Sequence, residues 1–68
     1  KGNVTISLGT KANTISYNLF TAEGKNVLKG TKVDVMNVDL DLKQEEIGIY
    51  FLHLDVDGNK RVIKVLKE

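Results

Sequence analysis

Apolar residues stand at every second position through most of this chain, in short runs separated by polar and glycine-containing stretches. A period of two sends alternate side chains to opposite faces of an extended backbone, so the pattern dictates strands with one buried face. Val4, Ile6 and Leu8 alternate with Thr5 and Ser7 as a first strand, followed by a polar connection from Gly9 to Asn13. Ile15, Tyr17 and Leu19 alternate with Thr14, Ser16 and Asn18 as a second. Thr21-Ala22-Glu23-Gly24-Lys25 reads as a hairpin loop in which Gly24 supplies a positive φ, and Asn26 to Lys29 as a short third strand closed by Gly30.

Between Val33 and Leu42 the alternation changes phase: Val33 and Val35 share one face, whereas Met36, Val38, Leu40 and Leu42 share the other. A slip of one residue flips every later side chain, which places a bulge or a strand break at Val35-Met36. Lys43 to Glu46 is a polar connector, too short for a stable helix. Ile47 to Val56 is the strongest strand, with Tyr50, Leu52, Leu54 and Val56 on one face. Ile49 and Phe51 make the other face partly apolar, which predicts a central position. Asp57-Gly58 is a hairpin turn, and Arg61 to Lys67 a closing strand. The inward face of that last strand is ambiguous, because Val62, Ile63, Val65 and Leu66 do not alternate cleanly. Six or seven short strands without a crossover helix describe an all-β antiparallel sandwich or small barrel.

With 68 residues the chain makes one domain at most, burying about 60% of the surface that its unfolded form exposes. It has no cysteine, hence no disulfide staple and no thiolate metal site. The net charge of +1 gives no reason to expect nucleic acid as partner. Its distribution is uneven. Lys1, Lys11, Lys25, Lys29 and Lys32 stand against Glu23 in the first part, and Asp34, Asp39, Asp41, Glu45, Glu46, Asp55 and Asp57 against Lys43 in the middle. Lys60, Arg61, Lys64 and Lys67 make the end basic again. No apolar run reaches the roughly 18 residues that a membrane-spanning helix needs.

Catalytic or metal chemistry finds little footing. His53 is the lone histidine, and without cysteine a zinc site would need carboxylates for every other ligand. Ser7 and Ser16 lie on polar strand faces, far from a triad pattern. Asp55-Val56-Asp57-Gly58-Asn59 has the look of a calcium loop, but the EF-hand spacing fails: glycine comes too early and Leu66 stands where the bidentate glutamate belongs. Asp39 and Asp41 alternate with Val38, Leu40 and Leu42 and so should face solvent rather than form a carboxylate pair. Asn3-Val4-Thr5 matches a glycosylation sequon, a pattern common by chance. No enzyme activity, cofactor, metal or small-molecule substrate is expected.

Order and spacing from Asn3 to Lys67 resemble the type A C-terminal sorting domain of the type IX secretion system. The stretches that carry the resemblance are Asn3 to Leu8, then Tyr17 to Val27 with its glycine loop. Val38-Asp39-Leu40-Asp41-Leu42, Gly48-Ile49-Tyr50-Phe51-Leu52 and the lysine-flanked Arg61-Val62-Ile63-Lys64-Val65-Leu66-Lys67 complete it. Two features depart from the family: its Pro-Asn-Pro element is missing, and Glu68 follows the terminal lysine.

The resemblance implies an immunoglobulin-like β-sandwich of about seven short strands and a non-catalytic targeting role. Residues 1–68 would be the C-terminal sorting domain of a longer secreted protein, short of the family's extreme N-terminal part. The partners implied are the outer-membrane secretion apparatus, a sortase-like peptidase that removes the domain, and a covalently linked upstream cargo. The implied route runs through the periplasm of a Gram-negative bacterium to the cell surface or medium. An outermost strand offers unpaired backbone groups to a partner, and an edge-strand dimer is a further possibility. On this reading Arg61, Lys64, Val65, Leu66, Lys67 and Glu68 carry the recognition signal, while Gly24, Gly48 and Tyr50 maintain the fold. The alternative is an adhesive or carbohydrate-binding accessory module of an extracellular enzyme, for which Phe20 or Phe51 would supply the aromatic contacts.

Overall fold

The computed structural model of the chain describes residues 2–68. It is all-β: β1 (Asn3–Thr21), β2 (Asn26–Asp41), β3 (Gly48–Val56) and β4 (Asn59–Lys67) form one antiparallel sheet in the order β2-β1-β3-β4. Four strands in a single sheet thus stand where about seven short strands in a sandwich were expected. The difference has a definite origin. The residues from Gly9 to Asn13 remain part of β1, with Gly9 turned to φ +81°, and the chain runs on from Lys29 through Gly30 within β2, so predicted pairs of short strands are single long ones.

A straight strand of 19 residues would reach roughly 60 Å at about 3.3 Å per residue. The longest dimension of the molecule is 31 Å. β1 must therefore bend, and the register shows where. Ser7 pairs with Asn37 and Ala12 with Val35, so Leu8, Gly9, Thr10 and Lys11 lack partners and only Met36 is skipped on β2. A bulge of this kind kinks the strand and re-aims the side chains beyond it. The phase change at Val35-Met36 in the sequence is the same feature seen from β2.

The bend lays the far half of the β1–β2 ribbon over the rest of the sheet. Val38, Leu40 and Leu42 from that half share one buried cluster with Ile15, Leu19, Tyr50, Leu52, Leu54 and Val65 from the other. Val4, Ile6 and Leu8 pack against the same cluster from above. Each fully buried aliphatic side chain contributes about 1.5–3 kcal/mol, so this cluster is the main source of stability in so small a chain. Tyr50, Leu52 and Leu54 face it as the alternation predicted, and β3 is flanked by β1 and β4.

The turns follow their residues. The Thr21 N–H donates to the Lys25 carbonyl at 2.8 Å and closes the first hairpin, with Gly24 at φ +95°. Asp57 and Gly58 both have positive φ, 50° and 90°, as a two-residue turn between paired Val56 and Asn59 demands. Lys43 to Glu46 makes a turn, with the Glu45 N–H donating to the Leu42 carbonyl at 3.0 Å.

Candidate functional site

Among the described residues the closing strand β4 pairs with β3 alone and forms one edge of the sheet. Its register settles which way each side chain points. Tyr50 faces Val65 and Leu52 faces Ile63, so Val65 is buried and Ile63 half-buried. Val62 and Leu66 fall on the opposite face and are 62% and 57% exposed. The ambiguity in the sequence is resolved by one fact, the two-residue turn at Asp57-Gly58.

The residues expected to carry a signal therefore divide. Lys64 and Leu66 stand exposed on the outer face, and Arg61 and Glu68 are exposed as well. Val65 belongs to the core, 5% exposed, and its side chain is out of reach of a partner in the folded domain. Lys67 points toward the turn after β2, where its Nζ donates to the Glu45 carbonyl at 2.6 Å and reaches the Lys43 carbonyl at 3.5 Å. It ties the end of the last strand to the loop that precedes β3. Tyr50 braces the same loop from inside, its hydroxyl donating to the Glu46 carbonyl. Burial pushes the Tyr50 hydroxyl above the ordinary tyrosine range, and the nearby Glu45 and Glu46 carboxylates add to the shift. Gly48, at φ +154°, starts β3 in a conformation that side chains rarely adopt.

The outer face of β4 also contains Lys60 and Val62, which the sequence reading left out of the signal. Lys60, Val62, Lys64 and Leu66 form one row, facing Asp55, His53, Phe51 and Ile49 on β3. Phe51 in turn faces Phe20 on β1, and the Phe20 ring meets His53 edge-on at 4.9 Å. Neither phenylalanine joins the core. The result is a shallow apolar depression lined by Phe20, Phe51, His53 and Val62, with lysines beside it. The signal that reveals the row is the strict alternation Lys60-Val62-Lys64-Leu66, once Asp57-Gly58 is taken to fix its phase.

The outward face of the folded-over half is different in character. Thr5, Asp39 and Asp41 are exposed there, and the Thr5 hydroxyl donates to Asp39 Oδ1 at 2.7 Å. The molecule thus carries a polar, acidic side and an apolar, basic side. Among the described residues no three histidine or carboxylate side chains gather as a metal site. Among the described residues no helix is long and apolar enough to cross a membrane.

No curated protein and no solved structure matches the chain. A family model does, the secretion system C-terminal sorting domain, over residues 1–68. A match across this whole length shows the family: the chain belongs to the C-terminal sorting domains of the type IX secretion system.

Proposed function

We infer that this chain is a sorting signal whose recognition element is the β4 edge, from Arg61 to Glu68. Family membership gives it the role of a C-terminal signal for export across the outer membrane. The observation that supports the finer reading is that the last strand has a neighbour on one side only. Such an edge presents a row of free backbone donors and acceptors, and the exposed Lys64 and Leu66 side chains stand beside them. Arg61 and Glu68 flank that row, while Val65 and Lys67 hold the strand in place from the core and from the Glu45 carbonyl.

In the full process a covalently linked upstream cargo is carried from the periplasm to the cell surface or the medium, and a sortase-like peptidase then removes the domain. Deletion of Lys64 to Glu68 from a fused reporter tests the first part: the reporter is expected to stay in the periplasm, and normal surface delivery refutes the reading. Mass spectrometry of the delivered cargo tests the second, since a cargo that keeps the whole domain was not processed.

The carbohydrate-binding alternative draws support from the pairing of Phe20 with Phe51 outside the core. Titration with oligosaccharides tests it. Binding that Phe51→Ala abolishes is the outcome it requires.

A further inference from the structure

Beyond its being an edge, β4 carries information about what can pair with it. In a hairpin closed by a two-residue turn, the residues flanking the turn exchange hydrogen bonds and every second pair beyond them does likewise. Val56 and Asn59 flank the turn here, so Asn59, Arg61, Ile63, Val65 and Lys67 spend their backbone groups on β3. The N–H and C=O groups of Lys60, Val62, Lys64 and Leu66 point the other way, off the edge of the sheet. These same four residues place their side chains on the apolar, basic outer face. One row therefore holds both the free backbone groups and the exposed side chains.

We propose that β4 accepts a partner strand whose facing side chains alternate acidic and apolar, continuing the sheet beyond Lys60, Val62, Lys64 and Leu66. This rests on the sorting reading and names the chemistry of its partner. Side chains directly opposite on paired strands interact, and opposite charges favour the pair where like charges oppose it. Carboxylates opposite Lys60 and Lys64, with branched apolar residues opposite Val62 and Leu66, complement the row at every position. The same lysines discourage a second copy of this chain at the edge. Two β4 strands side by side would bring Lys60, Arg61, Lys64 and Lys67 of each chain together, with only Glu68 and the Asp55 that faces Lys60 from β3 to offset them on each side. Lysine on an edge strand is a known device against self-pairing, and here it also selects for charge of the opposite sign.

The test uses the full 68-residue chain, isotope-labelled, and a capped peptide of about nine residues with Glu, Val, Glu and Leu at alternate positions and Thr between them. The peptide is expected to slow hydrogen exchange at the amides of Lys60, Val62, Lys64 and Leu66, and to bind more weakly as salt is raised. A version N-methylated on its pairing edge should not bind. In K60E/K64E, both changes lying at exposed positions, affinity for the acidic peptide should fall about tenfold and a lysine version of the peptide should take its place. The amide spectrum of the variant confirms that it is folded. Protection at other residues, equal binding of acidic and basic peptides, no binding at all, or a β4-mediated dimer in sedimentation each overturns the proposal. The sorting reading stands apart from these results: export that depends on Lys64 to Glu68, without peptide protection, removes this inference alone.

Discussion

The carboxylate of Asp57, in the turn between β3 and β4, accepts the backbone N–H of Thr14 at 2.8 Å and that of Asn13 at 3.2 Å. The Asp57 N–H in turn donates to the Thr14 carbonyl at 2.9 Å. One turn residue thus anchors the last hairpin to β1 just past the bulge. Asp57→Ala removes both carboxylate bonds and puts a β-carbon-bearing residue without local hydrogen bonding at φ 50°. The expected loss is about 1–3 kcal/mol, read as a lower urea midpoint with unchanged slope. Asp57→Asn tolerates the backbone and keeps one acceptor, so it should recover part of that loss.

Tyr17 lies across Gly30, its cross-strand partner. A β-carbon added at Gly30 would come within 2.6 Å of the Tyr17 hydroxyl oxygen and 2.7 Å of the ring carbon bearing it. The ring would have to move. Gly30→Ala should cost about 1–3 kcal/mol, and much less in a Tyr17→Leu background. A double-mutant cycle by urea denaturation measures the difference, and additive effects would show that the ring is not what Gly30 makes room for.

Neighbours on β4 should behave in opposite ways. For scale, Leu52→Ala, in the core on β3, is expected to cost about 2–5 kcal/mol. Val65→Ala should cost about 2 kcal/mol, since its side chain is buried against Tyr50. Leu66→Ala should change stability by no more than about 0.5 kcal/mol and yet lower reporter export. Thermal unfolding and export assays on the same variants separate the side chains that hold the strand from those that a partner meets.

The Tyr50 hydroxyl gives stability an alkaline dependence. Its folded value is raised above the unfolded 10.0, so folding favours the protonated form. That contribution is fully present below pH 10.0 and is lost as pH rises through the folded value. Stability measured by urea unfolding should decline above pH 10.0. Tyr50→Phe should be less stable at neutral pH, through loss of the bond to the Glu46 carbonyl, and should show a shallower alkaline decline.

Much of this architecture is legible in the alternation of side chains. The buried rows Val38-Leu40-Leu42 and Tyr50-Leu52-Leu54, the loop at Gly24 and the slip at Met36 all follow from it. The continuity of β1 does not. Leu8 to Lys11 have no partner on β2, pairing resumes at Ala12, and no side-chain alternation marks the stretch as one strand; the buried Ala12 is too small a signal to reveal it. The row on β4 was hidden for another reason. Val62 and Ile63, like Val65 and Leu66, are adjacent apolar residues, and only pairing to β3 tells which of each pair faces inward. Sheet order is likewise a property of long-range contacts that no local run of residues encodes.

Because β1 runs through both halves of the bent sheet, neither half owns a complete set of strands. Val4 and Ile6 on one side of the bulge and Ile15 and Leu19 on the other meet the same cluster from a single backbone. Opening either half strips apolar cover from the other. The chain should accordingly melt in one all-or-none step, with calorimetric and van't Hoff enthalpies equal, and offer no half-folded species for a protease to find.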